Sequence, residues 1–442
     1  MSDSVLISLL ARSMLAGEPA VEAVRARAVE TLGWTWRWLR PLSRRYVAAF
    51  ANGTRPRHRD VITFLRNDQG FRTALKRHHR RLYIARWIAE PQRMYPAAIA
   101  RQWDLPPLET VADLAAWLSL TIEELDWFAD LKGLGYKLPN AKLQHYHYRI
   151  LPKRSGGIRL TECPKPRLKE LQRRILSGIL DRIPAHDAVH GFVKGRSIVT
   201  FAAPHVGQRA VLRLDLENFF PTFPAARVQA LFRTLGYPET VSNLLAGICT
   251  NATPPSAWAG QAHAIDLANW NDARALYARP HLPQGAPTSP ALANLTAYRL
   301  DQRLSSLAAS AGAAYSRYAD DLAFSGGEQF QRGVARFAIH AAAIALEEGF
   351  QVNHRKTRIM RQGVRQRLAG VIVNQKANLP RSELELLEAI LTNCVRLGSE
   401  SQNRAAHPNF RAHLEGRVGF VEMVNREKGA RFRALLEKIE WA

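Results

Sequence analysis

Ser316-Arg317-Tyr318-Ala319-Asp320-Asp321-Leu322-Ala323 sets two adjacent aspartates among apolar and aromatic neighbours, and Phe324-Ser325-Gly326-Gly327 follows. The pattern predicts a strand, a tight turn carrying Asp320 and Asp321, and a second strand. Adjacent carboxylates repel, and burying both unpaired is costly. Two readings satisfy that constraint. The pair lies on a solvated surface turn, or a divalent cation suited to oxygen ligands, such as Mg²⁺, neutralises it.

Upstream, Val211-Leu212-Arg213-Leu214-Asp215-Leu216-Glu217-Asn218-Phe219-Phe220 reads as a strand that delivers Asp215 at its end, with Pro221 and Pro224 marking the exit. Only a fold can bring Asp215 to an aspartate pair so distant in sequence. Three carboxylates meeting at one point would hold two Mg²⁺ ions, which can activate a 3′-hydroxyl and stabilise a leaving pyrophosphate. Nucleases and some phosphatases use similar acids, so the reaction stays open at this point.

Between the two acidic sites lies His281-Leu282-Pro283-Gln284-Gly285-Ala286-Pro287-Thr288-Ser289-Pro290. Its glycine and prolines predict a rigid turn, and the apolar run to Leu304 predicts one helix. Such a turn can hold a base pair or a sugar. Earlier still, residues 149–160 read as a hairpin through Ser155-Gly156-Gly157, with Lys153 and Arg159 placed to close over a triphosphate; a plain basic hairpin would look the same. A basic helix follows (Arg167, Lys169, Arg173, Arg174). His190-Gly191-Phe192-Val193-Lys194-Gly195-Arg196-Ser197 reads equally as a loop for template phosphate or a simple turn. Residues 251–280 read as an irregular insertion with aromatics (Trp258, Trp270, Tyr277) in no regular period and a lone, structural His263.

The flanks add charge. The 442 residues carry 62 Lys+Arg against 38 Asp+Glu, a net +24 spread along the chain, which favours a polyanion partner, nucleic acid first. Residues 37–101 alone hold 16 basic against 3 acidic residues, interleaved with Trp38, Tyr46, Phe50, Phe64, Phe71, Tyr83 and Trp87, and preceded by Trp34 and Trp36. That mixture suits RNA, or a helical module whose rings are core and whose arginines are solvated. Thr121-Ile122-Glu123-Glu124 predicts a capping box opening a helix, after another begun near Val111. No run approaches the ~20 apolar residues of a membrane span, and the first residues lack a basic leader, so no membrane partner is expected. Cys163, Cys249 and Cys394 lie far apart and read as ordinary packed thiols in a reducing cytoplasm.

In this order, the Phe-Phe strand with its aspartate, Pro-Gln-Gly-Ala-Pro-Thr-Ser-Pro, Tyr-Ala-Asp-Asp and Gly349-Phe350-Gln351-Val352-Asn353-His354-Arg355-Lys356 resemble a reverse transcriptase, most closely the bacterial retron type. The resemblance covers roughly residues 145–442. It implies an α+β right-hand polymerase fold of fingers, palm and thumb; residues 1–110 lie outside the resemblance and read from their own composition as a helical basic extension. Fingers with leading helices would take 111–210, palm 211–379, and thumb 380–442, including Phe410, His413, Leu414, Gly416, Arg417 and Phe420. It implies that Asp215, Asp320 and Asp321, with the Leu216 carbonyl, bind two Mg²⁺ ions. Lys153 and Arg159 would contact the dNTP triphosphate, Phe220 would exclude a ribose 2′-hydroxyl, Gln284 would touch nucleotide and template, and Lys356 would protonate pyrophosphate.

The implied activity is RNA-directed DNA synthesis on a cognate structured noncoding RNA that is both template and primer. The product would be a branched RNA–DNA hybrid, and the role antiphage defence with a separate effector protein. Two departures bear on the subgroup. Leu368-Ala369-Gly370 stands where many retron enzymes have Val-Thr-Gly, and Asn251-Ala252-Thr253-Pro254-Pro255 keeps half of Asn-Ala-x-x-His. A non-retron defence or intron-derived enzyme, and a non-catalytic RNA-binding scaffold, are the alternatives.

Overall fold

The computed structural model describes residues 3–51, 56–79, 81–87, 92–137, 141–153, 157–259 and 267–441. They divide into two compact units, each built from two stretches of chain: Met1–Pro184 with Phe220–Thr296, and Ala185–Phe219 with Ala297–Ala442.

The first unit opens with five helices, α1 (Asp3–Leu15), α2 (Val21–Leu32), α3 (Leu39–Ala49), α4 (His58–Asn67) and α5 (Gln69–His78). Their apolar stripes close around Leu10, Val24, Leu42, Val61 and Leu65, all essentially without solvent contact. Asp68 ends α4 and caps α5: its carboxylate accepts the Phe71 N–H at 2.7 Å and the Arg45 fork at 2.6 and 2.9 Å. Two short helices follow, α6 (Val111–Leu118) and α7 (Ile122–Ala129). The expected capping box is present, with Thr121 and Glu124 exchanging side-chain-to-backbone bonds of 2.9 and 3.2 Å.

The hairpin pairs β1 (Tyr146–Pro152) with β2 (Ile158–Pro164) antiparallel, Ile150 opposite Leu160. Arg154, Ser155 and Gly156 of its turn lie outside the described residues, as does His263. Alternation along β2 buries Leu160 and Glu162 and turns Arg159 and Cys163 outward. Cys163 is therefore exposed, a correction to its reading as a packed thiol; Cys249 and Cys394 are buried.

The stretch 251–280 also needs correction. It contains the helix Leu267–Tyr277, and Trp258, Trp270 and Tyr277 pack together on Ile158 and Leu160. Rings lacking a local period were arranged by a tertiary contact with β2. A further correction concerns the run after Pro290, which forms two helices, Ser289–Thr296 and Tyr298–Ser310. The Thr296 hydroxyl bonds back to the Leu292 carbonyl at 2.6 Å, and Ala297 leaves the helical region with ψ of 4°.

The second unit is organised on a four-stranded antiparallel sheet in the order β4-β5-β3-β6: β3 (Ala210–Asp215), β4 (Ala313–Tyr318), β5 (Asp321–Gly326) and β6 (Arg358–Arg361). β3 lies inside the sheet and is buried at nearly every position, with only Arg213 half-buried. Phe324 of β5 meets Phe337 of the long helix Glu328–Glu347 edge-on at 5.0 Å. Val211 and Ala323 belong to an apolar cluster shared with the helices Arg381–Leu397, Phe410–Val424 and Arg426–Leu436. No helix among the described residues is long and apolar enough to cross a membrane.

Candidate active site

Asp215 and Asp321 are partners in the β3–β5 register, so two strands place two carboxylates side by side. Asp320 precedes Asp321 in the turn from β4, and its carbonyl accepts the Leu216 N–H at 2.9 Å. The strand–turn–strand reading of 316–323 thus holds, and the pair is not on a solvated turn. Burial, then the negative charges of Asp321 and Asp215, push the Asp320 carboxyl up to about 6. Burial also lifts Asp321 above the ordinary carboxylate range, although the Arg213 guanidinium bonds its Oδ1 at 2.6 and 2.8 Å.

Asp215 is 4% exposed, and each of its oxygens accepts from Lys356 Nζ at 3.0 Å. The loop carrying Lys356 is fastened to the same strand end, since the Asn353 N–H bonds the Asp215 carbonyl at 2.8 Å. Lys356 and Arg213 therefore balance the acids electrostatically. Among the described residues no three His, Cys, Asp or Glu side chains stand close enough together to hold an ion as they lie. The donor chemistry nevertheless fits a hard cation. The three carboxylates and the Leu216 main-chain carbonyl would offer only oxygen donors, and a cation would favour the charged form of Asp320, which burial first and then its acidic neighbours disfavour.

What holds the turn was less visible. Arg317, wholly buried on β4, forks onto Asp301, also wholly buried, with two bonds of 2.7 Å, and donates to the Ala319 carbonyl at 3.1 Å. Burial alone would lower the Arg317 pKa, but the Asp301 charge prevails and keeps it raised. Tyr315 donates to the same Asp301 oxygen at 2.8 Å. Ala319 sits at φ 55°, a left-handed backbone that costs an alanine about 1 kcal/mol and survives where its surroundings dictate it. Gly191 supplies one such constraint. A Cβ there would lie 2.6 Å from the Ala319 nitrogen, so only glycine lets the 190–197 loop pack directly on the turn.

Lys153, Arg159, Phe220 and Gln284 all belong to the first unit. The Lys153 N–H bonds the Gly157 carbonyl at 3.0 Å across the hairpin, Arg159 projects from the exposed face of β2, and Phe220 and Gln284 are half-buried. The Gln284 carbonyl accepts the Glu162 N–H at 2.9 Å, which ties the Pro-Gln-Gly turn to β2.

Beneath that tie lies a buried polar cluster absent from the sequence reading. Glu162 accepts from Thr253 at 2.7 Å, Asn251 at 2.8 Å and His281 at 2.8 Å, while the other His281 nitrogen faces the Arg279 carbonyl at 2.7 Å. Burial would lower the His281 pKa; the Glu162 carboxylate outweighs it and holds the imidazole above its ordinary value. The alternation of β2, which turns Glu162 inward, was the available signal. Arg213 carried a similar one, two residues before Asp215 and hence on the same face. Arg317 and Asp301 carried none, because their pairing is purely tertiary.

A strand-borne aspartate in register with a turn-borne pair, and a lysine on the first, is the arrangement of a nucleotide-polymerising palm. Residues 151–383 match the family described as reverse transcriptase (RNA-dependent DNA polymerase), and the chain belongs to that family. Within it the chain is of retron type. It is 41% identical over 339 residues to the retron Mx65 reverse transcriptase of Myxococcus xanthus, covering 76% of this chain and 73% of that one. The retron Mx162 enzyme of the same organism is 36% identical, with 77% and 69% covered, and the retron Ec86 enzyme of Escherichia coli 30%, with 67% and 82% covered. The chain is an RNA-directed DNA polymerase.

Proposed function

We propose that this polymerase copies a cognate structured noncoding RNA lying beside its gene. Synthesis starts from an RNA 2′-hydroxyl and yields a branched RNA–DNA hybrid, in the cytoplasm, as the sensing half of an antiphage pair whose effector is a separate protein. The observation that carries the catalytic part is the Asp215–Asp321 register with Asp320 beside it. In each cycle the attacking hydroxyl gives up its proton to solvent as its oxygen bonds the α-phosphorus of a dNTP, the bond from that phosphorus to the bridging oxygen breaks, and pyrophosphate leaves.

Two Mg²⁺ ions, held by Asp215, Asp320, Asp321 and the Leu216 carbonyl, would supply activation of the hydroxyl and charge stabilisation at the leaving oxygen. Lys356, whose ammonium bonds Asp215 at 3.0 Å, is assigned to protonate the leaving pyrophosphate. Arg213 orients Asp321. Lys153 and Arg159 are assigned to the triphosphate, Phe220 to exclusion of a ribose 2′-hydroxyl, and Gln284 to the nucleotide–template pair.

The test incubates purified protein with the adjacent RNA, Mg²⁺ and dNTPs. Wild type is expected to extend the RNA into a product whose DNA survives ribonuclease joined to a branch nucleotide. Asp320→Asn is expected to bind the RNA equally and make no DNA. Confirmed RNA binding by wild type without any DNA product sinks the proposal.

A further inference from the structure

The N-terminal helices sort their aromatic residues into two sets. Trp36, Trp38, Tyr46, Phe50, Phe64 and Phe71 pack into the helical core. Trp34, Tyr83 and Trp87 do not: they are 68%, 60% and 70% exposed. Two adjoining pieces of backbone present them. Gly33, at φ 67°, ends α2 in a left-handed turn and sends the chain out through Trp34. The extended segment after α5 crosses that turn, its Ala85 N–H bonding the Thr31 carbonyl at 2.8 Å. A Cβ on Gly33 would lie 3.9 Å from the Tyr83 hydroxyl, so Tyr83 stands over the turn that Trp34 leaves. Along the segment Leu82 is buried and Ile84 half-buried, while Tyr83 and Trp87 are exposed.

Large rings bury 150–250 Å² each in ordinary cores, by rough general figures, and a cluster left in solvent marks a surface with a partner. The surroundings identify the partner's chemistry. Arg37 and Arg81 are exposed close in sequence to Trp34 and Tyr83, and Arg86, next to Trp87, is exposed and carries a surface ion pair to Glu30 at 2.6 Å, within a stretch holding 16 basic and 3 acidic residues. An apolar protein helix or a lipid face calls for contiguous aliphatic surface. Separate rings flanked by guanidinium groups match a polyanion with open π-faces. A duplex stacks its bases on one another; unpaired nucleotides can stack on protein.

We propose that Trp34, Tyr83 and Trp87 form a stacking platform for a single-stranded segment of RNA, with Arg37, Arg81 and Arg86 facing its phosphates. The site lies outside the catalytic acids, and the proposal does not depend on the reading of them.

The test uses the full chain and a short labelled single-stranded RNA of mixed sequence, with the same sequence as a duplex for comparison. Trp34→Ala/Trp87→Ala is expected to weaken single-strand binding about tenfold or more, and Trp34→Phe/Trp87→Phe to stay within about threefold of wild type, because a phenyl ring still stacks. Ultraviolet crosslinking should map the single strand to peptides containing Trp34, Tyr83 or Trp87. All three residues are exposed, so unchanged thermal melts are expected and confirm intact folding. Unchanged affinity in the alanine pair overturns the proposal. So do crosslinks confined to other peptides, an equal loss for duplex, or a phenylalanine pair as weak as the alanine pair. Loss of self-association by sedimentation with RNA affinity intact would assign the patch to a second copy of the chain and equally overturn it.

Discussion

Asp320 has a carboxyl whose ionisation its surroundings resist, and the resistance has a sign. Its native value of about 6 exceeds the ordinary 3.8, so between those values the folded protein holds a proton that the unfolded chain has lost. Stability contributed by this group therefore falls as pH rises from 3.8 to 6, and above that the full charge cost is present. Asp320→Asn should stabilise chelator-treated protein at neutral pH by at most about 3 kcal/mol in urea unfolding, with the gain fading toward pH 3.8. An equal difference at both ends of that range would contradict the assignment. Arg317 makes the opposite case. Removing one member of a wholly buried pair strands the other, so Arg317→Met should cost about 3–5 kcal/mol in urea unfolding. Gly191→Ala places a methyl against the Ala319 nitrogen and must move the aspartate turn. Single-turnover assays should show kcat reduced on the order of 10²-fold with RNA affinity preserved; a wild-type kcat would show that the loop yields instead.

At the scale of elements, what the sequence made legible was local. The Thr121–Glu124 box, the β4-turn-β5 hairpin and the strand ending at Asp215 all follow from neighbours within a few residues, because caps, turns and alternation are short-range physics. The helix Leu267–Tyr277 was missed since its rings answer to Ile158 and Leu160 on another element, and the break at Ala297 since a threonine back-bond leaves no gap in an apolar run. The Glu162–His281 cluster was hidden for the same reason: four side chains from three segments meet there. That cluster has a pH signature. With the His281 value raised above its ordinary 6.5, its contribution is complete below that pH and is lost as pH rises through the folded value. Wild type should lose stability over that alkaline climb, and His281→Asn should not. A constant gap between their melting temperatures across neutral and alkaline pH would remove the proposed charge from the pair.

At the scale of the whole molecule, a formal charge of +24 makes RNA affinity an ionic-strength experiment. Binding should fall steeply and linearly on a log–log plot against salt, and a flat response would contradict phosphate neutralisation as its main source. The central place of β3 in its sheet has a consequence in time. Its flanking partners, β5 and β6, are encoded far downstream: Arg213 pairs with Ala323 on one side and Arg358 on the other. At roughly 5–20 residues per second, the ribosome delivers the second partner about 7 to 30 s after β3 itself. Through that interval the buried strand that ends in Asp215 waits with its ladder incomplete. The sheet of the palm is thus completed only once β6 has emerged, and until then the nascent chain must shelter the buried strand β3.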